Sequence, residues 1–209
     1  MLSIKDLSYS YDQKEFISFP DFSIEKGDTL LVLGESGKGK TTLLHLLGGI
    51  ISPQQGYIRI NNEEIKKLRG KELDKFRAQN IVIIFQEAHF VRSLTVIENL
   101  IFVQKLSGES ANYEFVNQLL EKVNLSERAG HMTSKLSQGE KQRLNILRAV
   151  ISKPNLILAD EPTSALDDTN CDKVMDLLLS LVDEVNASLI IVTHDNRLKD
   201  RFANKIELQ

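Results

Sequence analysis

The chain has 209 residues, 42% of them apolar and 26% charged, which is typical of one soluble globular domain with a well-buried core. Its 26 basic and 29 acidic residues give a net charge of −3, so we expect no nucleic-acid partner. No apolar run approaches the ~18–20 residues that would cross a bilayer. Cys171 is the only cysteine, which excludes an internal disulfide and fits a cytoplasmic protein.

The first 87 residues alternate short apolar runs with helical segments, and this pattern predicts an α/β fold with a mostly parallel sheet. The run at 29–33 is nearly unbroken, as expected for a strand that is buried on both faces. In chain order, we predict strands over 2–11, 16–24 and 29–33, a helix over 41–47, a strand over 56–60, a helix over 71–78 and a strand over 81–85.

Residues 88–136 differ in character, because 95–106 and 111–123 have helical spacing with no strong strand between them. We interpret 88–136 as an inserted helical subdomain, and 1–87 together with 137–209 as the catalytic core. The core resumes with a helix over 137–151, for which Ser137 is a suitable N-cap. It continues with a strand over 156–159, a helix over 168–185 and strands over 189–193 and 204–208.

A glycine-rich segment follows the strand at 29–33 and precedes the next helix. It fits the pattern G-x-x-x-x-G-K-[ST], in which backbone N–H groups and the start of the helix bind phosphates. Lys40 is expected to reach the β- and γ-phosphates, and Thr41 to coordinate Mg²⁺. The predicted nucleotide-binding residues of this segment are Gly34, Glu35, Ser36, Gly37, Lys38, Gly39, Lys40, Thr41 and Thr42.

Two acidic residues end the apolar strand at 156–159, on the sheet edge where open α/β proteins bind ligands. Asp160 is placed to hold Mg²⁺ directly or through water, and Glu161 to accept a proton from an attacking water. The alternative is a solvated acidic pair at a strand end, which is disfavoured beside a phosphate-binding loop.

These motifs and several further segments resemble the nucleotide-binding domain of ATP-binding-cassette (ABC) transporters over essentially the whole chain. In chain order, the resemblance covers Tyr11 as the aromatic that stacks on adenine, Gly34–Thr42 as Walker A, Gln86 as the Q-loop, Leu136–Glu140 as the signature, Leu156–Asp160 as Walker B, Ser164–Asp167 as the D-loop and His194 as the switch histidine. It implies a single domain over 1–209 with the P-loop NTPase fold: a RecA-like sheet core, a small antiparallel β subdomain and an inserted α-helical subdomain.

The resemblance also implies an ATPase that uses ATP and Mg²⁺. The expected catalytic residues are Lys40, Glu161 and His194, and the expected metal contacts are Thr41, Gln86 and Asp160. The adenine-stacking ring is open between Tyr11 and Tyr9, which lie on the same strand face, and either ring could simply pack. We favour Tyr11, because of its Ser-Tyr-Asp context.

The signature implies a homodimer in which two chains associate head to tail, with two ATP molecules at the interface. Leu136, Ser137, Gln138, Gly139 and Glu140 would bind the ATP of the partner protomer, and Asp167 would cross the interface. Three positions depart from the commonest pattern: Lys38 replaces a small residue, Gln138 a glycine and Glu140 a glutamine. These departures leave the γ-phosphate affinity and the dimer lifetime open.

Several details are similar to the branch of lipoprotein-release, macrolide-efflux and cell-division ATPases, among them Phe85-Gln86 and Leu94–Asn99. This similarity implies integral membrane permease subunits that hold the chain at the inner face of the cell membrane, docking near Ala88–Leu94. His89, Phe90 and Val91 are candidate contacts there, unless they only pack the insertion. The implied function is to drive export, lipoprotein release or mechanotransmission. The alternative is an ATP-dependent regulatory switch on a membrane partner such as a cell-division complex, without solute transport.

Overall fold

The computed structural model describes residues 1–164 and 166–208, and its elements follow the predicted alternation of strands and helices. The strands are β1 (Leu2–Tyr9), β2 (Ile17–Ser18), β3 (Phe22–Ile24), β4 (Thr29–Leu33), β5 (Gln55–Ile60), β6 (Glu63–Glu64), β7 (Ile81–Ile84), β8 (Leu156–Asp160), β9 (Ser188–Thr193) and β10 (Asn204–Glu207). The α-helices are α1 (Lys40–Leu47), α2 (Lys71–Asn80), α3 (Val96–Leu106), α4 (Tyr113–Lys122), α5 (Gln138–Val150) and α6 (Asp168–Glu184). The predicted α/β fold class is confirmed.

A parallel sheet in the order β10-β4-β9-β8-β7 forms the centre of the molecule. Because its strands run the same way, their carboxyl ends lie at one edge. Leu33 pairs with Thr193, and Asp160 with Val192, so β4, β8 and β9 end at nearly the same level. The loops that follow these three strands therefore meet, and they carry the phosphate-binding segment, Glu161 and His194.

Each central strand divides its side chains between two buried layers, as the period of two requires. In β4, Leu30 and Val32 pack with α1 and the antiparallel sheet, whereas Leu31 and Leu33 pack with α3 to α6. The same alternation holds in β8 and β9. Burial on both faces explains why the predicted run at 29–33 is almost wholly apolar.

The antiparallel sheet has the order β2-β1-β5-β6, with β3 also pairing with β1. Two strands of this sheet depart from the prediction by two residues or more. The strand predicted over 2–11 ends at Tyr9, because the Gln54 side chain bonds both the N–H and the carbonyl of Ser10 at 2.8 Å. The strand predicted over 16–24 is two short strands, separated where Pro20 lacks a backbone donor.

Residues 88–136 contain α3 and α4, and both helices begin at a side-chain cap. Thr95 and Glu98 form a reciprocal capping box at α3, and Asn112 accepts the Phe115 N–H at 2.9 Å to start α4. The buried side chains of this segment belong to the same apolar cluster as α5, α6 and one face of the parallel sheet. The segment is thus packed onto the core rather than around a core of its own.

Over residues 1–164 and 166–208, no helix combines the length and the apolar content that crossing a membrane requires.

Candidate functional site

The loop between β4 and α1 follows a path that only glycine permits at Gly39. Gly37 and Gly39 have φ angles of 86° and 83°, which L-residues rarely adopt. A Cβ atom at Gly39 would lie 2.8 Å from the Ile17 Cγ2 atom. The loop therefore passes close under the antiparallel sheet and turns directly into α1, so that the N-terminal backbone N–H groups of α1 lie beside the loop.

Lys40 is the first residue of α1, and its side chain folds back over the loop. Its Nζ atom donates to the Gly34 carbonyl at 2.7 Å and to the Glu35 carbonyl at 2.9 Å. The same Nζ lies 3.7 Å from Glu161 Oε1, and both side chains are almost buried. The structure thus brings the predicted lysine and the predicted base together.

Glu161 is held at the carboxyl edge of the sheet by its backbone and by both of its carboxylate oxygens. Its N–H donates to the Val192 carbonyl at 2.9 Å, and its φ of 48° lies in the left-handed region. The Thr193 hydroxyl donates to Oε2 at 2.6 Å, and His194 Nδ1 lies 2.7 Å from Oε1. Sequence reasoning missed Thr193, although its position immediately before His194 was a usable signal.

Oxygen-bearing side chains also lie at the start of α1 and at the end of β8. The Thr41 hydroxyl donates to Asp160 Oδ2 at 3.3 Å, and burial raises the pKa of Asp160. Gln86 Nε2 donates to the Ser164 hydroxyl at 3.0 Å, which directs the Gln86 amide oxygen away from Ser164. These are hard oxygen donors of the kind that Mg²⁺ prefers.

The described residues contain no group of three or more His, Cys, Asp or Glu side chains that could hold a metal alone. Mg²⁺ does not require such a group, because it is commonly held by one or two protein oxygens together with phosphate oxygens and water. Thr41 and Asp160 therefore fit a Mg²⁺ ion that arrives with a nucleotide.

These groups line an open cleft of about 760 Å³, which we call the phosphate cleft. Its predicted members are Tyr11, Glu35, Ser36, Gly37, Gly39, Lys40, Thr41, Thr42, Gln86, Asp160, Glu161 and His194. Ile17 also lines it and was not predicted, because an isolated aliphatic residue in a short strand carries no functional signal. Gly34 and Lys38 line a neighbouring opening of about 410 Å³ instead, with Asn196 and Glu207.

The two tyrosines considered for adenine stacking contact each other, but only one reaches the phosphate cleft. Their ring centroids are 4.9 Å apart with an interplanar angle of 81°. Tyr11 is 68% exposed, and its hydroxyl lies 3.2 Å from the Thr42 hydroxyl. Tyr9 is the last residue of β1 and supports the Tyr11 ring from its edge. This geometry favours Tyr11 as the stacking residue.

The signature segment, Leu136–Glu140, lies outside the phosphate cleft of its own chain. Ser137 is the N-cap of α5, as predicted, and its hydroxyl accepts the Glu140 N–H at 3.3 Å. Glu140 returns the contact by accepting the Ser137 N–H at 2.7 Å. Asp167 also lies outside the cleft and caps α6 through the Asn170 N–H at 2.9 Å.

A polar network that sequence reasoning missed connects the segment after His194 with the segment after Glu161. Arg197 donates to both carboxylate oxygens of Asp195, to Asp168 Oδ1 at 2.6 Å and to the Leu166 carbonyl at 3.2 Å. The Thr163 hydroxyl donates to Asp195 Oδ2 at 3.0 Å. These bonds therefore tie the segment that follows Glu161 to the segment that follows His194.

Comparisons with known proteins agree with this geometry. The family described as ABC transporter matches residues 18–164. The lipoprotein-releasing system ATP-binding protein LolD of Legionella pneumophila (strain Lens) is 40% identical over 190 residues, which are 90% of this chain and 84% of the relative. LolD of Treponema pallidum (strain Nichols) is 36% identical over 217 residues, which cover 100% of this chain and 95% of the relative.

A solved structure extends the agreement to three dimensions. It is the dimeric, post-hydrolysis state of an ATP-binding cassette bound to ADP and Pi, with a TM-score of 0.87 and 30% identity over 100% of this chain and 94% of that one. The family match covers most of the chain, and the fold is that of an ABC ATPase. The chain therefore belongs to the ABC transporter family, as an ATP-binding subunit.

Proposed function

We propose that this ABC ATPase binds Mg²⁺–ATP in the phosphate cleft and drives lipoprotein release through a separate membrane permease. The single observation that carries the proposal is the contact of Glu161 with both Lys40 and His194 in one cleft. The lipoprotein-releasing relatives supply the substrate class, and they match the transport function rather than the regulatory alternative.

The catalytic chemistry follows from the positions of three side chains. Lys40 supplies a fixed positive charge for the β- and γ-phosphates, and Glu161 accepts the proton of the attacking water. With Nδ1 on Glu161, the Nε2 atom of His194 is free to meet the γ-phosphate. A bound Mg²⁺ ion would supply charge neutralisation, with Thr41, Asp160 and Gln86 as its protein contacts.

The signature segment supports a head-to-tail homodimer with two ATP molecules at its interface. Because the Ser137 hydroxyl accepts from the Glu140 N–H, its own hydrogen remains able to donate to a phosphate. The N-terminal N–H groups of α5, including that of Gly139, add further donors. In the proposed dimer these donors complete the phosphate cleft of the partner, and Asp167 contacts the partner across the interface.

Disulfide trapping tests the head-to-tail arrangement. Two variants are made from a Cys171→Ala, Glu161→Gln chain. One carries a single cysteine in the phosphate loop (Ser36→Cys), and the other carries a single cysteine in the signature (Gln138→Cys). Mixing the two single-cysteine chains with ATP and an oxidant should give a cross-linked heterodimer, whereas each chain alone should stay monomeric on a non-reducing gel. Cross-links between identical chains, without a gain in cross-linked product when the two variants are mixed, would contradict the arrangement.

A groove between the core and the insertion supports docking of a permease. It has a volume of about 560 Å³ and adjoins exposed apolar side chains, namely Ile50, Phe85 and Leu106, which are 41%, 38% and 60% exposed. Arg148 lines the groove and donates to the His89 carbonyl. The proposed docking surface is this groove together with Ala88–Leu94, and it would hold the chain at the inner face of the cell membrane.

Reconstitution tests the function itself. The chain is combined with its membrane permease in vesicles that contain a lipoprotein, and Mg²⁺-dependent hydrolysis and lipoprotein release are measured together. We expect release that requires ATP and disappears with Glu161→Gln. Hydrolysis that is stimulated only by a cell-division or periplasmic partner, without release, would favour the regulatory switch instead.

A further inference from the structure

A carboxylate stands where the proposed dimer would receive a triphosphate. Glu140 is the third residue of α5, and Ser137 and Gly139 lie in the same turn. An acidic side chain stabilises the start of an isolated helix, but it repels an anion that approaches the same turn. The negative charge of Glu140 must therefore be balanced if this turn is to bind a partner's γ-phosphate.

The structure balances the charge with an arginine from the insertion. Arg128 Nε donates to Glu140 Oε1 at 2.8 Å, while Oε2 accepts the Ser137 N–H at 2.7 Å. Both carboxylate oxygens are thus engaged on the protein side, and the Glu140 side chain is only 15% exposed. The Ser137 N–H and Arg128 lower the pKa of Glu140 to about 2, so the pair remains ionised at neutral pH.

Arg128 is well placed to hold this geometry. It ends the short 3-10 turn Ser126–Arg128, which follows the fully buried Leu125. Its carbonyl accepts the His131 N–H at 2.8 Å, which fixes the backbone of the turn. The guanidinium therefore reaches Glu140 from a hydrogen-bonded turn of the insertion, and it links the insertion to the signature helix α5.

We propose that Arg128 is a positioning residue for ATP-driven dimerisation: it cancels the charge of Glu140 and orients the Ser137 cap toward the partner's γ-phosphate. This inference rests on the head-to-tail dimer of the proposed function. It also explains how the signature tolerates a glutamate where a glutamine is common. A glutamine would need no counter-charge, whereas Glu140 needs one and Arg128 supplies it.

The test measures the ATP concentration that half-saturates dimerisation, by analytical ultracentrifugation in a Glu161→Gln background. Arg128→Ala should raise this concentration by about tenfold, because one ion pair is lost and a carboxylate then faces the polyanion. Arg128→Lys, which keeps the charge, should raise it by less than about threefold. ATP binding to the monomer, measured at protein concentrations too low for pairing, should not change.

A second substitution, at Glu140, separates the loss of charge neutralisation from a simple loss of structure. Adding Glu140→Gln to Arg128→Ala should restore half-saturation to within about threefold of the background value, because the repelling charge is gone. Lys122→Ala is the matched control, since Lys122 also joins the insertion to the core through an exposed pair with Glu184 at 2.5 Å. This control should leave dimerisation unchanged.

Each of three results would overturn the role of Arg128 and leave the proposed dimer in place: Arg128→Ala dimerises like its background, the added Glu140→Gln fails to rescue it, or Lys122→Ala impairs pairing equally. If the Glu161→Gln chain itself stayed monomeric at every ATP concentration, the proposed dimer would fail and the inference with it.

Discussion

The phosphate cleft and the signature segment differ in how many parts of the chain build them. The ends of β4, β7, β8 and β9, the start of α1 and Tyr11 converge on the cleft, where Thr193 and His194 both bond to Glu161. The signature segment occupies one helix start, and Ser137 bonds mainly to Glu140. The difference shows that one chain gathers the proposed catalytic groups in a single cleft, whereas the proposed phosphate donors of the signature lie outside that cleft.

Among the substitutions in the cleft, removal of the proposed proton acceptor should reduce the hydrolysis rate most. Glu161→Gln keeps the size of the side chain but cannot take a proton, so the hydrolysis rate should fall by about 10³-fold. ATP affinity should stay within about threefold of wild type. Phosphate release and nucleotide titration measure the two quantities.

The control for this change is Glu207→Gln, at the end of β10, the strand that pairs with β4 at the edge of the sheet. Its carboxylate pairs with Lys199 at 2.7 Å, outside the phosphate cleft. It should hydrolyse ATP at nearly the wild-type rate. Robust hydrolysis by Glu161→Gln would remove Glu161 as the base.

Two lysines of one loop give the next contrast. Lys40→Ala should raise the dissociation constant of ATP by about 100-fold, since charge-assisted bonds to phosphate are lost. Lys38→Ala should change it by less than about threefold, because Lys38 lines the neighbouring opening and not the cleft. Fluorescence titration with Mg²⁺–ATP measures both, and equal losses would show that Lys38 also binds the phosphates.

Substitutions of the two tyrosines test which ring stacks on adenine at the rim of the cleft. Tyr11→Ala should weaken ATP binding by about tenfold, within the range for stacking of one base on an aromatic ring. Tyr11→Phe should retain most of the affinity, since only the contact with Thr42 is lost. Tyr9→Ala is the matched control and should have a smaller effect than Tyr11→Ala. A larger effect of Tyr9→Ala would reverse the assignment.

Arg197→Ala tests whether the phosphate cleft is coupled to the segment that contains Asp167. Among these substitutions it should have the smallest effect on the hydrolysis rate. Arg197→Ala frees the segment that contains Asp167, so the hydrolysis rate should fall about threefold and the Hill coefficient for ATP should move toward one. Arg201→Ala removes similar bonds, to Asp172 and Asp176 one turn further along α6. It should cost less than about 1 kcal/mol of stability and leave the Hill coefficient unchanged.

The stability cost of Arg197→Ala should depend on pH. The Arg197 side chain is the main reason that the pKa of Asp195 lies below its ordinary value. A lowered pKa stabilises the folded state above the ordinary pKa of ~3.9 and loses this effect as pH falls below it. Urea unfolding should therefore show a larger difference between wild type and variant at pH 7 than at pH 3, and a constant difference would contradict the assignment.

Local patterns predicted the central strands and the phosphate loop well, because both depend on neighbouring residues. The strand over 29–33 has the predicted bounds, and Ser137 caps α5 as expected. Contacts between distant residues left no such pattern. Gln54 ends β1 at Tyr9, Arg128 pairs with Glu140, and Arg197 reaches Asp168, each across a turn or a longer separation that periodicity does not encode.

The position of Lys38 outside the cleft was also beyond sequence reasoning. It depends on the path of the loop, which is set by the positive φ angles of Gly37 and Gly39 and by the closeness of Ile17. A motif specifies which residues are present, whereas the direction of each side chain follows from the backbone around it.

The left-handed backbone at Glu161 has an evolutionary consequence. A glutamate with a φ of 48° carries strain of about 1 kcal/mol that glycine or asparagine would largely relieve. Selection for stability therefore disfavours glutamate at this position, and the proposed role of Glu161 in ATP hydrolysis is what would retain it. In a descendant that kept nucleotide binding but abandoned turnover, this codon should be among the first to drift.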